Sequence, residues 1–219
     1  MAVGQFPFPQ MVPVSGIRLG TASAGIKTAG RQDLVVLGLA QDTRVAGVFT
    51  QNAFCAAPVT VSKEHLARGD VRYLVINSGN ANACTGDEGL ADARLTCSKL
   101  AELAGGRAEQ VLPYSTGVIG ERLPMARLLA GLPQALENLS EDGWESAARG
   151  IMTTDTRPKG ASVQFTYEGE TITVTGIAKG SGMIKPNMAT MLAYIATDAK
   201  VSQSLLDQLA VKASDQSFN

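Results

Sequence analysis

Two blocks of strand-forming sequence flank a block of helical periodicity, and this order constrains the fold more than any single residue does. Residues 34–40, 45–50, 58–62 and 71–76 are short apolar or β-branched runs set between turn residues, so they predict strands. Leu90, Ala93, Cys97, Leu100, Ala101 and Ala104 then recur at helical spacing and stop at Gly105-Gly106, which predicts a helix lying on one sheet face. Residues 110–115 return as a strand, and residues 124–139 and 141–152 predict two more helices, the second opened by a Ser140 cap. Residues 161–167 and 171–175 alternate with period two around Glu168-Gly-Glu170, the pattern of a hairpin. Apolar residues 191–196 predict the next strand. Residues 202–217 predict a last helix, capped by Ser202 or Ser204, with Leu205, Leu206, Leu209, Val211 and Ala213 available for a buried face. With no regular βαβ alternation, an α/β layered sandwich is expected rather than a doubly wound parallel sheet.

The 219 residues suffice for one large domain or two small ones, and 45% hydrophobic residues are ample for a packed core. Lys and Arg number 19 against 20 Asp and Glu, which leaves no electrostatic footprint for nucleic acid or an anionic membrane. The first ten residues lack a basic start followed by an apolar run, so a cytoplasmic protein is expected. Cys55, Cys84 and Cys97, at spacings of 29 and 13, match neither a disulfide framework nor a zinc site. Cys97 falls on the apolar helix face and reads as core, while Cys84 sits in a Gly- and Asn-containing loop without a partner base. His65, the single histidine, lies in what reads as a solvated helical turn, which leaves a Ser-His-Asp or Cys-His mechanism without its base.

The segment with most chemical promise is Lys179-Gly-Ser-Gly-Met-Ile-Lys-Pro-Asn-Met-Ala-Thr190, which runs from a glycine-flanked lysine into a threonine opening an apolar strand. A hydroxyl held at such a turn can attack its own upstream carbonyl. The Ala189–Thr190 amide becomes an ester by an N-to-O shift, and water then frees a chain beginning at Thr190. A free α-amine has a pKa of about 7.7 to 8.0, so an N-terminal threonine is nucleophile and base in one residue. The plainer alternative is an ordinary strand start after a common Gly-Ser-Gly loop.

Five segments, in order, resemble the ornithine acetyltransferase family, the bifunctional glutamate N-acetyltransferases of arginine biosynthesis. They are Ser23-Ala-Gly-Ile-Lys27, Asn77-Ser-Gly-Asn-Ala-Asn-Ala-Cys-Thr-Gly86, Ser115-Thr-Gly-Val-Ile-Gly120, Met152-Thr-Thr-Asp-Thr156 and the stretch from Lys179 to Leu192. The resemblance implies a layered α-β-β-α sandwich of the ornithine acetyltransferase type. It also implies cleavage between Ala189 and Thr190, with residues 1–189 as the alpha-chain region and 190–219 as the start of the beta-chain region. Thr190 is then the nucleophile, and Thr116 and Gly117 form the oxyanion site, although without the resemblance an ordinary turn is the favoured reading of that pair. Lys179 and Thr153 contact substrate, with Thr154 and Thr156 as alternatives to Thr153. Lys185 is a second cation near the site or incidental surface charge. Asn77, Asn80 and Asn82 line the site or shape the loop.

The implied cycle is ping-pong: N-acetylornithine acetylates Thr190, and glutamate accepts the acetyl group. No bound cofactor or metal is needed, and acetyl-CoA is an additional co-substrate in bifunctional members. The implied partners are the protein's own C-terminal beta chain and a heterotetramer of two alpha and two beta chains. The chain is therefore expected to be a fragment of a longer enzyme. Two other functions stay open on the residues: a self-processing N-terminal-nucleophile amidohydrolase, and a non-catalytic binding protein.

Overall fold

In the computed structural model, residues 7–181 and 191–218 are described. The proposed cleavage pair Ala189 and Thr190, and Lys185, lie outside the described residues.

The first sheet has the order β1-β2-β3-β4, made of β1 (Ile17–Ala22), β2 (Leu34–Leu39), β3 (Tyr73–Asn80) and β4 (Val111–Val118). Its first three strands are antiparallel, and β4 runs parallel to β3. A parallel neighbour needs a crossover, which is supplied by α2 (Gly86–Ala104). The second sheet is an antiparallel meander of β5 (Lys159–Tyr167), β6 (Glu170–Lys179) and β7 (Leu192–Thr197).

Alternation along the strands sorts the core into two layers. Leu34, Val36, Val75 and Val111 face α2 and α3 (Met125–Glu137), meeting Ala93, Cys97, Leu100, Leu128 and Leu132. Val35, Leu37, Leu74, Ile76 and Leu112 point the other way, against Trp144, Ala147 and Ala148 of α4 (Trp144–Gly150), Ile151 just beyond it, and Ile177 and Tyr194 of the second sheet. Helices, sheet and sheet are thus stacked as the layered sandwich requires. The outer face of the second sheet is bare: Val163, Phe165 and Ile195 are exposed.

Several local expectations give way to tertiary context. Residues 58–62 are not a strand but part of α1 (Ala57–Leu66), where Pro58 occupies the first turn and Val61, Ser62 and His65 share a buried face. The β-branched content of that stretch misleads because packing overrides propensity. His65 is correspondingly buried, not solvated: its Nδ1 lies 2.7 Å from the Val111 carbonyl oxygen, a structural contact. Residues 45–50 form no strand. β1 is unforeseen. Its Gly20 permits the close passage of α3, since a Cβ there would come 2.0 Å from the Ala135 carbonyl oxygen. α4 begins after Gly143 rather than at a Ser140 cap, and Ser140 instead bridges to Leu19.

In α5 (Gln203–Ser217), Ser202 is the cap, accepting from Leu205 N, but the apolar residues expected to be buried are not: Leu205, Leu209 and Val211 are exposed. Asn77 to Asn80, expected in a loop, extend β3, and β4 continues beyond residue 115 as far as Val118. Those extensions carry the site.

Candidate active site

At the ends of β3 and β4 the two backbones nearly touch. Gly117 has φ 142°, and a Cβ on it would fall 2.3 Å from the Gly79 carbonyl carbon, so only glycine fits there. Period-two alternation puts Thr116 on the same face as Leu112 and Tyr114, pointing toward the second sheet. From β6, Lys179 points back across the gap. It is 4% exposed, and its Nζ donates to Thr116 Oγ1 at 3.0 Å and to Thr153 Oγ1 at 2.8 Å. Three residues singled out from three distant motifs therefore meet at one ammonium.

Thr153 follows α4, and Asp155 sets its position. The Asp155 side chain accepts from Thr153 N at 3.2 Å, from Gly180 N at 2.8 Å and from Lys159 Nζ. One carboxylate thereby ties the Thr153 turn to the end of β6. Thr154 bonds Ser181 instead, at 3.0 Å, and Thr156 is exposed, so of the three threonines it is Thr153 that turns to Lys179.

Electrostatics follow from burial. Loss of water pulls the Lys179 ammonium below its usual range; the Asp155 carboxylate opposes that shift and Lys159 adds to it. Burial would raise the Asp155 carboxyl, but the bonds from Lys159 and from the Gly180 and Thr153 N–H groups outweigh it and hold it below the ordinary carboxylate value. Among the described residues no carboxylate pairs directly with Lys179. In the layer between the sheets, Tyr114 packs edge to face on Tyr194, with ring centroids 5.3 Å apart. Burial pushes both phenols upward, so they stay neutral.

The other motifs close round this centre. Ser115 Oγ donates to Asn77 Oδ1 at 2.6 Å, and Asn77 Nδ2 donates to the Asn80 carbonyl at 2.8 Å. Asn80 Nδ2 reaches the Glu121 and Arg122 carbonyls, and Asn82 Nδ2 reaches that of Gly89. The asparagines spend their polar groups on shaping the loop. Cys84 is exposed in that loop, and Cys97 is buried in the helix layer. Asp33 was not apparent from the sequence. Its carboxylate grips Ala24 N at 2.7 Å and Ile26 N at 2.6 Å, and its carbonyl accepts from Ser78 N, tying the Ser23 to Lys27 motif to β3. An acid just before a strand, following a glycine-containing turn, was the available signal.

Among the described residues, no three His, Cys, Asp or Glu side chains cluster as metal ligands, and no helix is long and apolar enough to cross a membrane.

Stacked helix, sheet and sheet, with a buried lysine-threonine centre at the strand ends, define a layered α/β protein. The ArgJ family pattern matches residues 18–219, and the chain belongs to the ArgJ family. It is 61% identical over 219 residues to the arginine biosynthesis bifunctional protein ArgJ of Pseudomonas syringae pv. tomato, covering all of this chain and 54% of that relative. The chain thus spans about half the length of the curated relatives it matches. Among solved structures, the bifunctional ArgJ of Bacillus halodurans is similar at 35% identity and TM-score 0.71, over 84% of this chain and 92% of that one. The ornithine acetyltransferase of Mycobacterium tuberculosis, solved in complex with ornithine, is similar at 35% identity and TM-score 0.69, over 85% and 96%.

Proposed function

We propose that the protein is a self-cleaving acetyltransferase that moves the acetyl group of N-acetylornithine to glutamate through an ester on Thr190. The observation that carries this function is the Lys179 ammonium held between Thr116 and Thr153, together with the pairing of Lys179 with Leu192, which follows Thr190 by two positions in sequence. Membership of the ArgJ family supports it.

Cleavage begins as Thr190 Oγ adds to the Ala189 carbonyl carbon. The tetrahedral centre collapses with rupture of the C–N bond, the nitrogen takes a proton, and water splits the resulting ester. Ala189 is left as a carboxylate and Thr190 as a free amine. Residues 1–189 then form the alpha chain, and residues 190–219 begin the beta chain. The nearly complete coverage of both solved chains, against 54% of the curated relative, is the pattern expected of a molecule made of two shorter chains. The bare face of the second sheet suits coverage by the rest of the beta chain, and two copies of each chain form the heterotetramer.

In the transfer cycle Thr190 attacks the N-acetyl carbonyl while its own amine takes the hydroxyl proton. Thr116 Oγ and the Gly117 N–H stabilise the oxygen that turns negative, and ornithine leaves as the amine. Glutamate then attacks the acetyl ester. Lys179 and Thr153 hold substrate, the buried ammonium, which has no direct carboxylate partner among the described residues, being suited to a substrate carboxylate. Acetyl-CoA serves as a further donor, no bound cofactor or metal is used, and the enzyme works in the cytoplasm.

The test is to give the complete enzyme N-acetylornithine with and without glutamate. N-acetylglutamate forming only with glutamate supports the transferase. Free acetate released equally fast without glutamate contradicts it and favours a hydrolase.

A further inference from the structure

The Lys179–Thr116 hydrogen bond has a fixed direction. An ammonium offers three donors and no acceptor, so Thr116 Oγ1 must accept at 3.0 Å, and its own proton is free for another partner. No acceptor takes that proton among the described residues. Both side chains are buried, Lys179 at 4% and Thr116 at 9% exposure, so little water screens the contact. A hydroxyl whose oxygen already accepts from a cation is a stronger donor in turn, because hydrogen bonds in a chain polarise one another. Thr153 shapes the geometry from the other side: by accepting a second N–H at 2.8 Å, it fixes where the ammonium sits.

We propose that Lys179 is a positioning residue for the oxyanion site, its ammonium turning the Thr116 proton outward and polarising it toward the oxygen that becomes negative. This role is separate from holding a substrate carboxylate. It presupposes the acetyl transfer described above, and its test distinguishes failure of the two.

The probe is p-nitrophenyl acetate, an acetyl ester that carries no carboxylate. Thr190 Oγ adds to its carbonyl, p-nitrophenolate leaves, the acetyl group stays on Thr190, and the terminal amine takes the hydroxyl proton. The burst rate is measured on full-length protein, normalised to split chain by intact mass, for wild type, Lys179→Met, Thr116→Val and the double variant. Each single change should slow acylation by about 10²-fold, the scale of one lost oxyanion donor, and the double variant should be no slower than the slower single. A Lys179→Met enzyme that acylates at the wild-type rate overturns the proposal, as does multiplication of the two losses. A folded Lys179→Met protein that stays unsplit supports it, since splitting involves no external carboxylate. If that variant does not fold, Lys179→Gln decides: slower acylation than wild type is expected, and an unchanged rate overturns the proposal. Wild-type protein that neither splits nor acylates instead removes the acetyltransferase function itself.

Discussion

Lys179 donates to Thr153 Oγ1 at 2.8 Å, joining the last residue of β6 to a turn 26 positions earlier in the chain. Hydrogen bonds to charged groups are worth about 1.5–3 kcal/mol. Thr153→Val should therefore cost about tenfold or more in kcat/KM for N-acetylornithine, whereas Thr154→Val and Thr156→Val should stay within about twofold. Steady-state kinetics on the three variants checks this; a larger loss at Thr154 than at Thr153 would reverse the assignment.

Asp155 links the same turn to Gly180. Its folded carboxyl titrates below the unfolded one, so it contributes stability above the unfolded value of about 3.9, and that contribution is lost as pH falls toward the folded value. Asp155→Asn should be less stable than wild type at pH 7, with the gap narrowing once the pH is taken below about 4. Denaturant melts at both pH values read it out. A gap that widens in acid would contradict the sign.

Gly117→Ala places a methyl group 2.3 Å from the Gly79 carbonyl carbon at φ 142°. Strain of this kind costs on the order of 3 kcal/mol, and either β3 or β4 must move. A lowered melting temperature together with slowed acetyl transfer is expected. A variant that melts with the wild type would mean the strand ends are not packed this closely.

His65→Leu isolates a buried polar contact remote from Lys179 in sequence. It removes one partner of the Val111 carbonyl, which also accepts from Cys97 Sγ at 3.6 Å, and should cost about 0.5–1.5 kcal/mol of stability. Transfer kinetics below the melting temperature should be unchanged, because the residue lies in α1, away from Lys179. Loss of kcat without loss of stability would give the histidine the catalytic part that its sequence context denied it.

The layered α/β class was legible in short-range signals, period-two strands and a glycine-terminated helix. Thr116, Thr153 and Lys179 were instead picked out by the family resemblance of their ordered motifs, and their meeting across 63 and 26 positions appears only in the fold. What was hidden depends on partners distant in sequence. Pro58 to Ser62 look like a strand until the Val111 and Pro113 carbonyls of β4 are present to bond His65 and Ser62. Gly20 weakens β1 as a pattern, and its reason for being there, the approach of α3, lies more than a hundred residues away. The clamp formed by Asp33 had a local signal, an acid between a glycine-containing turn and β2, but its partners Ala24 N and Ile26 N come within reach only once that turn is folded.

The most direct measurement is the intact mass of the full-length protein, wild type and Thr190→Ala, before and after exposure to N-acetylornithine. Two chains divided between Ala189 and Thr190 are expected for the wild type, with one acetyl mass added to the chain that begins at Thr190, and a single unmodified chain for the variant. An undivided wild-type protein that still transfers acetyl groups, or an acetyl mass found on the other chain, would contradict the account.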